Sequence, residues 1–424
     1  MSPSQGDRGV KPLVVIGASL AGMSAVQSIR AAGHEGDIVV VDPSPTLPND
    51  RPPLSKQVLA GEWDLDRAAQ PAARQLDELA LDLRLGTAAT ALDAASLTVT
   101  LAGDGAGSRS IEAAGIVVAT GSAARTLPGA APAGVHVVRT GADSLALRAE
   151  LEAGPGRVVV VGAGFIGAEV AATCRGRGLE VTMVEAAPVP LQRVLPGTIG
   201  AFVADLHRSH GVDVRLGVGI DSLVAGDDGR VRAVRLADGS EVEASVVVVG
   251  IGAAPALGWL DGSGLDLLSP GEGGGVRCDA TMLAAPGIVA AGDVAAWPNP
   301  HFGGEMMRVE HWENAIDQGT HAGRRLLTEL DADQGDGPID PFSSVPWFWS
   351  DQYDAKIQMV GRAGPGDEAV VVDGSIGEGR FVALFRRDGQ CRAALGVNRP
   401  RLVMQARMKL AESLDWAPVA ALFP

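Results

Sequence analysis

A chain of 424 residues carrying 35 Lys and Arg against 51 Asp and Glu, net −16, is too long for one hydrophobic core, and its acidity argues against general binding to nucleic acid or an anionic membrane. Its 46% hydrophobic content and many glycines fit a globular α/β protein, whereas three scattered cysteines, Cys174, Cys278 and Cys391, argue against a disulfide scaffold, a zinc site or an iron–sulfur cluster within the chain. The opening MSPSQGDRGVKP is polar and no apolar run reaches spanning length, so a cytoplasmic protein is expected.

Met1 to Arg8 reads as a loose tail. Val14 to Ile16 predict a strand leading into the turn Gly17-Ala18-Ser19-Leu20-Ala21-Gly22, a helix to about Ala32, and a second strand Ile38 to Val41 that ends in Asp42. This is a cradle for a dinucleotide: the glycines allow a tight turn and close approach to pyrophosphate, the free N–H groups of the helix start attract an anion, and the acid suits a ribose hydroxyl. Ser19 stands where the second glycine belongs.

In Asn49 to Lys56 two prolines predict an extended loop followed by a helix start, flanked by Arg51 and Lys56, which read equally well as solvated cations or as functional groups. Leu97 to Thr100 and Ser110 to Ala113 predict a hairpin. Ile116 to Ala119 predict a buried strand, and Thr120-Gly121 turn the chain out of the first domain. Ala123 to Gly156 is a crossover with a helix near Ser144 to Glu152.

The cradle then recurs in fuller form. Val158 to Val161 lead through Gly162, Gly164 and Gly167 into a helix from about Phe165 to Arg177, and a strand Glu180 to Val184 is closed by Glu185, placed to accept from a ribose 2′-OH and to repel a 2′-phosphate. Glu169 is expected in the first helical turn, where complementing the macrodipole competes with a catalytic role, and Cys174 is expected to be a small buried hydrophobe. Val231 to Leu236 and Glu241 to Glu243 predict a hairpin before Val246 to Val249 reaches Gly250-Ile251-Gly252. Gly287 to Ala291 predict a strand that places Gly292-Asp293 at a carboxyl edge, where ligands of open α/β sheets bind. Glu310 to Asn314 open a helix running to about Leu330, Asp331 to Pro341 read as a linker, and the remainder, with strands Phe381 to Phe385 and Cys391 to Leu395 and a helix Leu402 to Leu414, reads as a small α+β domain. Two cradles imply two dinucleotides, and the chemistry that needs both is hydride transfer between a nicotinamide and a flavin.

The stretches RPPLSK (Arg51 to Lys56), ATG (Ala119 to Gly121), VVRTGAD (Val137 to Asp143), GAGFIGAEVAA, AAGDVA (Ala290 to Ala295), VEHWENA and PWFWSDQYD (Pro346 to Asp354) give the chain, over nearly its whole length, a resemblance to the FAD-dependent ferredoxin reductases of bacterial oxygenase systems. The resemblance implies an α/β protein of the glutathione reductase type, with two dinucleotide-binding (Rossmann-like) domains and a small C-terminal α+β domain. Its divisions would be an FAD-binding domain in two segments, 9–122 and 253–330, an NAD-binding domain, 123–252, and a C-terminal domain, 331–424. It implies FAD contacts from Gly17, Ala18, Ser19, Leu20, Ala21, Gly22, Asp42, Arg51, Lys56, Ala89, Ala119, Thr120, Gly121, Arg125, Arg139, Gly292, Asp293, Glu310, His311, Trp312 and Ala315. Gly162, Gly164, Phe165, Ile166, Gly167, Glu169, Glu185, Arg193, Ile251 and Gly252 would serve NAD. Lys56 would lie by the reactive edge of the flavin and pair with Glu169, the two forming the catalytic pair.

The implied partner is a small iron–sulfur ferredoxin, of the 2Fe-2S kind, supplying a cytochrome P450 or a ring-hydroxylating dioxygenase. Trp347 and Trp349 are candidates for shaping its docking surface, and Arg386, Arg387, Arg399 and Arg401 for a basic patch. A disulfide reductase or a thiol-based peroxidase needs a cysteine beside the flavin, and none precedes Cys174. A rubredoxin reductase, a cysteine-independent NADH oxidase and a redox-switched interaction protein resembling apoptosis-inducing factor remain as alternatives.

Overall fold

Runs of β-branched residues too apolar for an exposed strand build the centre of each half of the molecule. The computed structural model describes residues 11–46, 49–70, 72, 76–103, 107–154, 156–330, 339–364 and 366–423; the expected tail, Met1 to Arg8, and most of the expected linker lie outside them. The chain forms two compact units: one runs up to Asn49 and includes Ala69–Ala123 and Ala254–Ser344, and the other comprises Asp50–Ala68, Ala124–Ala253 and the chain from Val345 on.

In the first unit the strand Leu13–Ile16, buried at every position, sits inside a six-stranded sheet in the order Leu283–Ala285, Ile288–Ala290, Gly115–Val118, Leu13–Ile16, Ile38–Asp42, Asp82–Leu85. All pairings are parallel except the first, with Leu13 opposite both Ile38 and Gly115. The helices Leu20–Ala31 and Trp312–Leu330 cross in close contact because the latter presents glycines: a Cβ on Gly319 would stand 2.2 Å from the carbonyl oxygen of Ala21, and one on Gly323 2.6 Å from that of Ala25. The expected hairpin is part of a three-stranded sheet, Ala89–Asp93, Thr98–Leu101 and Arg109–Glu112. Its first strand is mostly exposed, which left no apolar alternation to read.

The second unit repeats the plan with a five-stranded parallel sheet, Asp213–Leu216, Glu180–Glu185, Arg157–Val161, Val246–Val249, Val135–His136. The helix Gly141–Glu152 starts at a capping box: Asp143 N–H donates to Thr140 Oγ1 at 3.1 Å, and Thr140 N–H to Asp143 Oδ2 at 2.8 Å. From Val345 on, an antiparallel sheet, Trp347–Gln352, Ala355–Gly361, Gln390–Val397, Arg380–Arg387, Glu368–Ser375, packs Ile357, Met359, Phe381, Phe385 and Leu395 onto Ile199 and Val203 of the helix Gly197–Ser209.

Three local expectations need correction. Pro52–Ser55 is a 3-10 turn continuing into the helix Gln57–Ala60, not an extended loop, because the prolines occupy helical first-turn positions where their missing N–H costs nothing. The C-terminal helix spans Pro400–Glu412, starting two residues early for the same reason. Glu169 lies beyond the first turn of the helix Phe165–Gly176, and its side chain is buried rather than set at the helix end. Among the described residues, no helix is long and apolar enough to cross a membrane.

Candidate functional site

Each glycine turn is dictated by its own backbone. Gly17 has φ +110° and a Cβ there would lie 2.3 Å from Ala119 O; Gly162 has φ +96° and a Cβ there would lie 2.5 Å from Gly250 O. At Gly22 and Gly167 a Cβ would meet the carbonyl oxygens of Gly17 and Gly162 at 1.9 and 2.1 Å. The middle position differs: among the described residues, a Cβ on Gly164 would find nothing nearer than Gly250 O at 3.7 Å. The protein's own packing therefore does not forbid a side chain there, and the equivalent Ser19 fits, its Oγ accepting from Gln70 Nε2 at 3.2 Å.

The strand-end acids clamp these turns. Asp42 Oδ2 accepts from Ala18 N–H at 2.7 Å and Oδ1 from Ser44 N–H at 2.8 Å; Glu185 Oε2 accepts from Ala163 N–H at 2.7 Å and Oε1 from Ala187 N–H at 2.9 Å. A carboxylate keeps lone pairs beyond these, so each acid can still receive a ribose hydroxyl.

Around the first turn, the Ala119–Gly121 segment and Asp293 come from strands that flank Leu13–Ile16 on one side of the sheet. Thr120 Oγ1 donates to Ala256 O at 3.1 Å, Ser122 Oγ donates to the buried Asp293 at 2.6 Å, and Gly292 N–H donates to Gln318 Oε1 at 2.9 Å. Glu310 is ion-paired with Arg308 at 2.6 Å; His311 accepts from Ala315 N–H through its carbonyl, and Trp312 starts the helix that carries Ala315. Ala89 opens the small antiparallel sheet. Among the described residues, Gln318 Nε2 and Gln70 Oε1 are buried without a hydrogen-bond partner, as groups that receive a polar ligand would be. This unit therefore fits the phosphates and hydroxyls of FAD. Gln70, Ser122, Arg308 and Gln318 were not expected; isolated polar residues outside the glycine motifs carry no sequence signal of convergence.

In the second unit Lys56 Nζ lies 3.1 Å from Glu169 Oε2, with side chains only 11% and 5% exposed. The carboxylate also accepts from Ser55 Oγ at 2.5 Å on the same oxygen and from Ser350 Oγ at 2.7 Å on the other. Ser55 and Ser350 were missed as well. Neither cation reading of Lys56 as solvated nor a macrodipole role for Glu169 survives this burial. At the start of the same helix, Phe165 meets Phe348 edge-on at 4.6 Å and Ile166 stays 46% exposed, an apolar group left available beside the glycine turn. Arg125 N–H donates to Gly252 O at 2.9 Å and its Nε to Ala253 O at 3.0 Å, beside Ile251; Arg193 approaches Gly252. Arg139 N–H donates to Asp143 Oδ2 at 3.1 Å, so part of the VVRTGAD stretch serves helix capping. Arg51, Lys56, Arg125 and Arg139 belong to the second unit, whereas the first glycine turn belongs to the first.

The three cysteines are buried, and burial pushes each thiol up to about 12, as inert thiols behave rather than redox ones. Of the four arginines expected to form a basic patch, Arg386, Arg387 and Arg399 are ion-paired with Glu368, Asp367 and Asp373, which cancels most of the charge; Arg401 is exposed. Trp347 and Trp349 stack on each other with centroids 5.0 Å apart, both half-buried.

A family described as pyridine nucleotide-disulphide oxidoreductase matches residues 11–319, and one described as reductase C-terminal matches residues 347–422. The chain is 38% identical to the ferredoxin–NAD(+) reductase component of the anthranilate 1,2-dioxygenase system of Burkholderia cepacia, covering 94% of each. It is 36% identical to rhodocoxin reductase of Rhodococcus erythropolis, covering 96% of this chain and 91% of that protein. The solved covalent complex of putidaredoxin reductase with putidaredoxin superposes with a TM-score of 0.87 at 30% identity, covering 98% of this chain and 96% of that one. Paired glycine cradles, a buried Lys–Glu pair, inert thiols and these likenesses together place the chain in the pyridine nucleotide-disulphide oxidoreductase family, among its FAD-dependent ferredoxin reductases.

Proposed function

We propose that this protein takes electrons from NADH through FAD and delivers them to a small iron–sulfur ferredoxin, of the 2Fe-2S kind, that supplies an oxygenase. The observation that carries the reading is the pair of dinucleotide cradles in a chain whose every thiol is buried and inert, because electrons with no internal dithiol to reduce must leave to an external acceptor. The names of the relatives agree, being NAD-linked ferredoxin reductases or a reductase joined to its ferredoxin. We read 9–122 and 253–330 as the FAD-binding segments, 123–252 as the NAD-binding domain and 331–424 as the C-terminal domain, working in the cytoplasm where NADH is supplied.

FAD, when bound, accepts two electrons from NADH and releases them one at a time. The chain's own residues bind and orient. Gly17 to Gly22, Asp42 and Asp293 hold the flavin nucleotide, and Gly162 to Gly167 hold the pyrophosphate of NADH on the start of the helix Phe165–Gly176. Glu185 accepts from the ribose 2′-OH, which favours NADH, since its charge repels a 2′-phosphate. Ile166 offers an apolar face, and the Lys56–Glu169 ion pair would position the nicotinamide with a dipole already fixed before the reaction. The test is anaerobic reduction of the yellow holoprotein by NADH, followed by addition of a 2Fe-2S ferredoxin and then cytochrome c. Ferredoxin-dependent cytochrome c reduction is expected; brisk peroxide formation with no stimulation by any ferredoxin would move the protein to an NADH oxidase.

A further inference from the structure

The Glu169 carboxylate does not end at Lys56. Its Oε1 accepts from Ser350 Oγ at 2.7 Å, Gln352 Nε2 lies 3.1 Å from that same Oγ, Gln352 Oε1 lies 3.2 Å from His207 Nε2, and His207 Nδ1 lies 2.9 Å from the hydroxyl of Tyr353, the chain's single tyrosine. Ser350, Gln352 and His207 are fully buried. Ser350 and Gln352 are two residues apart on the strand Trp347–Gln352, so the two-residue period of a strand aims both at the same side, while His207 comes from the helix Gly197–Ser209.

The chemistry of each group fixes the direction of every bond. A carboxylate paired with an ammonium only accepts, so the Ser350 hydroxyl donates to it and, its one hydrogen spent, must accept from Gln352. That orients the amide, leaving Gln352 Oε1 toward His207 and requiring a proton on Nε2. The Nδ1 of a neutral ring is then an acceptor, and the Tyr353 hydroxyl donates to it. Burial supports the neutral ring by pulling the His207 pKa down to about 4. Tyr353 is in turn held by His210, stacked on it at 3.8 Å, at a two-residue turn where Tyr353 has φ +54°.

We infer that Ser350, Gln352 and His207 are positioning residues for the NADH reaction: a one-way series of donors, anchored at Tyr353, that holds the Glu169 carboxylate in the single orientation presenting its other oxygen to Lys56. This rests on the role given to Glu169 under the proposed function. An amide does not relay a proton through ordinary hydrogen bonds, so Gln352 makes the series an orienting device and not a proton path. Every polar atom in it is satisfied, which is the condition for a buried polar network to rigidify a site.

The experiment has two arms. In the first, a long-range ¹⁵N–¹H spectrum of ¹⁵N-histidine-labelled holoprotein, with His207 assigned by loss of its signals in His207→Gln, is expected to show a neutral ring protonated at Nε2; protonation at Nδ1 would overturn the inference, and this arm needs no variant of the series to react. In the second, anaerobic flavin reduction by NADH is measured for Ser350→Ala, Gln352→Leu and their double variant. Ser350→Ala is expected to slow the step by about tenfold or more, the fold-change of a lost hydrogen bond to a charged group, and Gln352→Leu by about threefold or more, that of a lost neutral one, each at an unchanged Kd for NADH. The double variant should be no slower than the worse single, and Ser350→Thr, which keeps the hydroxyl, should recover the rate. Parental rates in Ser350→Ala and Gln352→Leu, with Glu169→Gln slow, would overturn the positioning role alone. A parental rate in Glu169→Gln would instead overturn the role given to Glu169.

Discussion

Replacing Glu169 with Gln removes one charge and almost no volume. The ion pair it breaks is 3.1 Å long, between side chains 11% and 5% exposed. At that distance the attraction is about 5 kcal/mol with an effective dielectric constant of about 20. Much of it offsets desolvation in the intact pair, but removing one partner leaves the other ammonium buried without a counter-charge, for which a loss of about 3–5 kcal/mol is typical. For a unit of this size that corresponds to a thermal midpoint lower by roughly 6–20 °C. Calorimetry of holoprotein carrying Glu169→Gln, Lys56→Met and both changes measures the coupling directly. The double variant should regain most of the stability, because no lone charge remains, yet should stay slow in anaerobic stopped-flow reduction by NADH. A Glu169→Gln protein that melts within a degree of the parent and is reduced at the parental rate would refute both the energetics and the positioning of nicotinamide by this pair.

Glu185→Gln is expected to narrow the ratio of kcat/KM for NADH over NADPH, since the amide lacks the charge that repels a 2′-phosphate; an unchanged ratio in steady-state assays would take the selectivity away from this residue. Native protein should react with fewer than one equivalent of a disulfide thiol reagent at pH 8 and keep NADH-driven reduction after iodoacetamide treatment, because all three thiols are buried and pushed up to about 12. Burial pulls the His207 pKa from its ordinary 6.5 down to about 4 in the folded chain, with the hydrogen bond to Gln352 opposing the shift and His210 adding to it. The unfolded chain therefore binds the extra proton first as pH falls. The stability from this group is complete above about pH 6.5 and is lost progressively down to about pH 4, by about 3 kcal/mol in all. His207→Gln should flatten that part of the pH–stability curve measured by urea denaturation; a parallel curve would refute the assignment.

The glycine turns were legible because backbone geometry constrains residue type at the turn itself: Gly17, Gly22, Gly162 and Gly167 have no room for a Cβ, and Asp42 and Glu185 follow at the end of the next strand. The open position at Gly164 explains why Ser19 could depart from the pattern without cost to the turn. The surroundings of Glu169 were not legible. Ser55, Ser350 and His207 reach the same network from segments separated by well over a hundred residues, and a serine or a histidine at a buried position looks like any other until the strands are registered. The pairing of Lys56 with Glu169 came from family resemblance, since from chemistry alone both were equally readable as ordinary charges. The arginine cluster was misjudged for a related reason: in a sequence, positive charge is visible and its partner across a sheet is not. Glu368 pairs with Arg386 only because their strands run antiparallel in that register.

The crossing of the helices Leu20–Ala31 and Trp312–Leu330 sets a schedule for biosynthesis. Gly319 and Gly323 close over Ala21 and Ala25, and the strand Ile288–Ala290 fills the place in the sheet beside Gly115–Val118. A ribosome adding about 5–20 residues per second needs on the order of 15–60 s to make the intervening ~300 residues. Throughout that interval the nascent N-terminal segment carries an uncovered helix face and an unpaired strand edge, while the parallel sheet around Arg157–Val161 has all its strands available by Val249. Ribosome-stalled chains ending before residue 288 should thus protect the second sheet from protease and leave the first open, which makes the earliest-synthesised nucleotide cradle the last to become whole.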